Sequence, residues 1–228
     1  MAGIIIGIVT LTGIGLKLGA GLVSLAHGKL LLTLIFTMIA SIILGMGAPT
    51  TANYLITSTI TAGAIITCLY GGADIQPVMM LPAHMFAFYF GIIADVTPPV
   101  ALAAIAGAAI AKGKPMKTAV NATKLAIGAF IIPYMFVYNP QMLMINATVL
   151  SVIFICLTAL IGMFGISIAL EGYGFRSASI IERLLFAAGG FLCVIPETKT
   201  DVIGLILMAA LIAYQILRNS IEKKRAAN

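Results

Sequence analysis

From Leu30 to Ala73 the chain carries no Asp, Glu, Lys, Arg or His, yet GMGAPTTAN (45–53) stands at the middle of that run. Further apolar segments follow: 85–111, 125–144, 147–170, 180–195 and 202–217, with one more before it at 4–25. These runs are continuous rather than alternating, so they predict helices and not barrel strands. Most approach the ~20 residues that span a bilayer. Three carry an internal interruption: Lys17 in the first, Asp95 within ADVTPPV in 85–111, and Pro133 in 125–144. Between them, 71–82 (GGADIQPVMMLP) reads as a loop from its Gly, Asp and two prolines. Residues 112–124 read as a linker with four lysines, and the chain ends in RNSIEKKRAAN.

Composition fixes the solvent. Of 228 residues, 61% are hydrophobic and 9% charged, and the mean hydropathy is +1.15. A soluble domain carries roughly 25% charged residues, so this chain belongs in the lipid bilayer. The formal charge of +6 then marks cytoplasmic loops and does not indicate a nucleic-acid partner. With 112–124 inside, alternate crossings also put Arg176, Arg183 and the basic C-terminus in the cytoplasm. The outer loops NPQ and PETKTD hold one lysine between them. The same count makes 71–82 external. The chain starts MAGIII, with no basic region of a cleaved signal peptide. Cys68, Cys156 and Cys193 stand far apart and suggest small buried hydrophobes rather than a metal site.

Two interruptions suggest chemistry. GMGAPTTAN is either a turn between two full spans or the tip of a re-entrant hairpin. The returning arm holds Thr50, Thr51, Asn53, Thr57, Ser58, Thr59 and Thr61, which suits protein or a watery cavity better than lipid. Irregular backbone at membrane depth survives only in such places, so the hairpin is favoured. In ADVTPPV, Pro98 and Pro99 each remove a helical hydrogen bond, and each disfavours the α conformation of the residue before it. The helix is expected to unwind, freeing carbonyls near Ala94, Asp95 and Val96. A carboxylate beside free carbonyls is a hard-oxygen cation site. Interrupted segments of this kind point to a secondary-transporter site, with helix N-termini drawing an anion. No GxSxG, HExxH or paired intramembrane aspartates appear, so no enzyme is expected.

GMGAPTTANYLITSTI, followed by LPAHMFAFYFGIIADVTPPVALAAIAGAAIAKGKPMKTAVNATKLAIGAFIIPYMFVYNP, resembles the large membrane component of tripartite ATP-independent periplasmic (TRAP) transporters. The likeness is nearest to the fused permeases that work with TAXI-type binding proteins. It runs from AGIIIGIVTLTGIGLK to the terminal helices. The resemblance implies an elevator-type carrier of the prokaryotic inner membrane, driven by Na⁺ and supplied with organic anions, typically carboxylates, by a periplasmic solute-binding protein. It implies an all-α helical bundle in which a re-entrant hairpin and a Pro-broken helix form one of two inverted repeats. Residues 1–29 would be the first transmembrane helix and connector, and 30–67 the hairpin. Residues 68–111 would form the outer loop and broken helix, 112–124 the basic cytoplasmic linker, and 125–228 about four helices and the tail. The fused relatives are several times longer, and the first repeat is missing here. A truncated or split permease is therefore expected, inactive alone. Another chain or segment would supply the first repeat and the small membrane subunit.

By that resemblance the ion-binding candidates are Gly45, Gly47, Thr50, Asp95, Val96 and Thr97, with Na⁺ as coupling ion and no organic cofactor. The substrate-contacting candidates are Thr50, Thr51, Asn53, Thr97 and Pro98. Asn53 either touches substrate or caps the returning arm. His84 reads as an interfacial anchor and Phe86–Phe90 as packing. An ion channel and a non-transporting fragment are the alternatives.

Overall fold

A computed structural model of the protein describes residues 4, 7, 8, 11–47, 49–71, 75–195 and 198–227, without the side chains of Leu16, Thr198 and 221–227. Ala48 of the 45–53 stretch, 72–74 of the loop and 196–197 of PETKTD lie outside the described residues. Among the described residues the regular elements are helices, and no strand forms. Four helices are long and apolar enough to cross a membrane: Thr50–Tyr70, Pro115–Tyr138, Val149–Glu171 and Lys199–Ser220. This is the all-α membrane fold that the apolar pattern predicts. The chain forms two compact units, 1–145 and 146–228.

The first unit includes α1 (Ile14–Leu25), α2 (Leu30–Gly45), α3 (Thr50–Tyr70), α4 (Leu81–Ile93), α5 (Leu102–Ile110), α6 (Pro115–Leu125) and α7 (Ile127–Tyr138). α2 and α3 pair as a helical hairpin, and α4 packs on both and on α7. The core at this junction gathers Leu34, Ile65, Phe86, Phe90 and Val137. Tyr134 of α7 meets the rings of Phe86 and Phe90 at centroid distances of 5.2 and 5.9 Å. The Phe86–Phe90 stretch is therefore packing, as read from the sequence.

Element boundaries differ from the sequence reading at several places, among them both sides of the expected outer loop. α3 runs to Tyr70, where Gly71 at φ 60 takes the left-handed turn that ends a helix. α4 starts at Leu81, inside the expected loop, because a proline at the second helical position costs no hydrogen bond. The basic stretch 112–124 is largely helix, with Pro115 opening α6 and Ala119 packing on Ala101 and Ala104. Its lysines stay exposed, and their charge conceals a short helix in the sequence.

The second unit is a three-helix assembly of α8 (Val149–Glu171), α9 (Ile180–Val194) and α10 (Thr198–Ala227). Small residues bring its backbones together, as lipid-embedded helices require. A Cβ on Gly190 would stand 2.6 Å from the carbonyl of Gly162, and one on Gly162 would stand 2.7 Å from that of Gly190. Ser179 and Glu182 cap α9 reciprocally, and Glu182 also pairs with Arg176. Gly190→Leu is expected to cost about 1–3 kcal/mol by overpacking, whereas Gly107→Leu, at a site with open space, stays within about 0.5 kcal/mol. Thermal unfolding in detergent compares them, and equal midpoints would contradict the packing described.

Candidate functional site

α4 has 13 residues and α5 has 9, so they measure about 20 and 14 Å along their axes. Neither alone crosses a hydrocarbon core of about 30 Å, and the two together do. Between them lies the turn 94–101, where Thr-Pro-Pro stops the helix. The backbone N–H and hydroxyl of Thr97 both donate to the carbonyl of Ile93, at 3.1 and 3.0 Å. The Pro98–Pro99 bond is cis, and Ala101 restarts the chain at φ 44. Three carbonyls were expected to be free here. That of Asp95 is not, because it accepts from the N–H of Ala103 at 3.0 Å. Those of Ala94 and Val96 accept none of the turn's backbone hydrogen bonds.

The hairpin tip abuts this break. α2 ends at Gly45, Gly47 turns the chain at φ 74, and Pro49 leads into α3 without any side-chain cap. Asn53, in the first turn of α3, is wholly buried. Its amide donates to the carbonyl of Gly91 at 2.6 Å and to that of Gly45 at 3.3 Å. It thus ties both hairpin arms to the last turn of α4. Both glycines are needed for the fit. A Cβ on Gly91 would stand 2.9 Å from Asn53 Oδ1, and one on Gly45 would stand 2.7 Å from the carbonyl oxygen of Gly91. Asn53 Oδ1 itself has no hydrogen-bond partner among the described residues.

A cleft of about 490 Å³ opens between tip and break, lined by Gly47, Pro49, Asp95, Leu102 and Ala103. Among the candidates, Gly47 and Asp95 line this cleft. Thr50 and Thr51 are exposed at the start of α3, beside Pro49. Val96 and Pro98 are half-buried in the turn, and Thr97 is buried at 5% exposure. Gly45 and Asn53 lie in the packed interior behind the cleft. Pro49, Leu102 and Ala103 were not singled out from the sequence. They stand at the starts of α3 and α5, neither of which has a side-chain cap, so two helix N-termini border the cleft alongside Asp95, whose carbonyl takes the Ala103 N–H. Among the described residues no three His, Cys, Asp or Glu side chains cluster.

The hydroxyl-rich arm turns inward. Asn53, Thr57 and Thr61 of α3 are 0% exposed, and so are Thr33, Thr37 and Ser41 of α2. Ser41 donates to Thr61 across the hairpin at 3.0 Å, and Thr57 and Thr61 donate to carbonyls one turn back. The α2 stripe went unread, although its spacing of four is visible in the sequence. Between them, Ser58–Ala62 form a π turn. There the Ile60 carbonyl lies 3.1 Å from where a Cβ on Gly19 of α1 would stand. His84 meets Tyr54 at 3.1 Å between Nδ1 and the phenol oxygen.

Interrupted helical segments of a polytopic chain line one cleft here. The chain belongs to the tripartite ATP-independent periplasmic transporter family, DctM component, whose family model matches residues 1–151. No curated protein and no solved structure matches it. The matched stretch holds every residue of the cleft.

Asn53→Ala is expected to cost about 1–3 kcal/mol, because two buried carbonyls lose their donor. Gly91→Ala should also destabilise. The double variant should lose less than the sum, since all three atoms nearest to the new methyl belong to Asn53. Chemical denaturation of the four proteins measures this, and strict additivity would refute the clamp.

Proposed function

We propose that this chain is the permease component of a Na⁺-coupled secondary transporter of small organic anions. The anions are carboxylates delivered by a periplasmic solute-binding protein. The cleft carries this reading. Two helix N-termini place positive partial charge at one wall, which suits a carboxylate. Asp95 places a full negative charge in the same cleft. That charge repels an anion until a cation offsets it, so one site binds both only together. The donor set fits Na⁺: the Asp95 carboxylate, the Ala94 and Val96 carbonyls and the Thr50 hydroxyl are hard oxygens. Thr97 Oγ1 donates to Ile93 and keeps lone pairs to offer. Gly45 and Gly47 bring the tip close enough to take part. Thr50, Thr51, Thr97 and Pro98 are the substrate-side contacts, and Asn53 holds the tip in position for them.

Re-entrance of the hairpin fits the same geometry. The tip packs on the last turn of α4, halfway along a segment that needs both α4 and α5 to cross. In this reading the tip stands within the bilayer. The buried hydroxyls of Thr33, Thr37, Ser41, Thr57 and Thr61 keep that much polarity off the outer surface of the hairpin. In this reading the protein sits in the prokaryotic inner membrane with its C-terminus in the cytoplasm. A first repeat and a small membrane subunit complete the transport unit.

Na⁺ should stabilise the purified chain. At tenfold over its dissociation constant the gain is about 1.4 kcal/mol, read as a raised unfolding midpoint in NaCl against choline chloride. Asp95→Asn should abolish that gain. In proteoliposomes holding the assembled transporter and its binding protein, Asp95→Asn should cut Na⁺-driven carboxylate uptake by about tenfold or more. An unchanged Na⁺ response in Asp95→Asn would reject the site.

A further inference from the structure

Both long helices of the second unit end at one level. α8 has 23 residues, and the apolar stretch of α10, Lys199–Ser220, has 22. They measure about 34 and 33 Å along their axes. A hydrocarbon core of about 30 Å leaves each little room to slide, so their ends stand close to the membrane surfaces. The loop 172–179 that follows α8 lies on the last turns of that stretch of α10. The N–H of Phe175 donates to Gln215 at 3.2 Å, and its carbonyl accepts from Asn219 at 3.0 Å. Loop and helix end therefore meet the same surface, whichever side of the membrane that is.

Positive charge gathers there. Residues 171–183 and 218–225 hold six Arg and Lys against three Glu, and one of the three, Glu182, pairs with Arg176. Tyr214 is exposed, and two guanidinium groups approach its ring: Arg176 at 6.0 Å and Arg218 at 5.7 Å from the centroid. Arg218 also donates to the Tyr214 hydroxyl at 3.1 Å. α10 continues as helix past Ser220, so Arg225, seven residues after Arg218, returns to the face of Tyr214 and Arg218. Lys223 and Lys224 stand on the same turn. Arginine offers its N–H groups as a fork that matches phosphate oxygens. Phospholipid phosphates lie at the height where a span ends, and a basic cluster directly after a transmembrane helix suits the anionic ones.

We infer that Tyr214 with its flanking arginines, the loop 172–179 and the basic continuation of α10 form a site for the headgroup of an anionic phospholipid. The inference stands apart from the transport reading, since it uses neither the cleft nor Na⁺. It concerns the second unit, nearly all of which lies beyond the family match to residues 1–151.

The test reconstitutes the full chain in phosphatidylcholine vesicles. These carry a trace of phosphatidylglycerol, or of phosphatidylcholine, with a photoreactive group next to the headgroup. After irradiation, peptides from 172–183 and 214–228 are expected to carry about fivefold or more of the phosphatidylglycerol label relative to the phosphatidylcholine label. In 1 M NaCl, where the screening length is about 3 Å, the preference should fall severalfold. Joint replacement by Arg218→Gln, Lys223→Gln, Lys224→Gln and Arg225→Gln should abolish it. Removing as many charges elsewhere, by Lys112→Gln, Lys114→Gln, Lys117→Gln and Lys124→Gln, should leave it in place. The first two measurements use the unaltered chain, so they decide the matter even if a variant misfolds. Equal labelling by the two lipids or a preference untouched by salt would overturn the inference. So would a preference kept by the α10 variant, lost in the 112–124 variant, or removed by added inorganic phosphate.

Discussion

The amide of Asn53 holds the hairpin of this protein to the helix that follows it. The α2–α3 hairpin turns at Gly47, and a helix leaves carbonyls at its C-terminal end without helical partners. Asn53 answers one such carbonyl from α2 and one from α4 with a single side chain on α3. Three helix ends are thereby fixed at one point. Gly45 and Gly91 leave no methyl in the way, and the hydroxyl ladder of α2 and α3 continues the same satisfaction along the hairpin. The cleft lies against this point, so its walls inherit the rigidity of the interior behind them.

Much of this was legible in the residues. Consecutive prolines at 98 and 99 announced the helix break, and the glycines of 45–53 announced the turn. Both rest on local backbone chemistry, which a sequence states directly. The role of Asn53 was less accessible. Its two partners are 8 and 38 positions away and offer backbone oxygens, which any residue possesses. Tertiary placement alone decides that its amide points inward. The free carbonyl expected at Asp95 failed for a related reason, since Ala103 returns across the turn to take it. The helix at 115–125 was hidden by its lysines, whose charge marks topology and says little about backbone conformation.

The second unit solves a different problem with similar means. Its loop 172–179 must leave one helix and enter the next. The carbonyl and N–H of Phe175 are met by Asn219 and Gln215 of α10, four residues apart on one helical face. Arg183 covers the carbonyls of Ala169 and Leu170 at the end of α8. Polar side chains here serve backbone groups, as Asn53 does in the first unit.

The bond from the Ala103 N–H to the Asp95 carbonyl makes the interrupted segment a closed ring rather than a loose strand. The ring closes residues 95–103 through one backbone hydrogen bond and returns the start of α5 to Asp95. The residue that lines the cleft and the first turn of the next helix are thus joined through main-chain atoms alone.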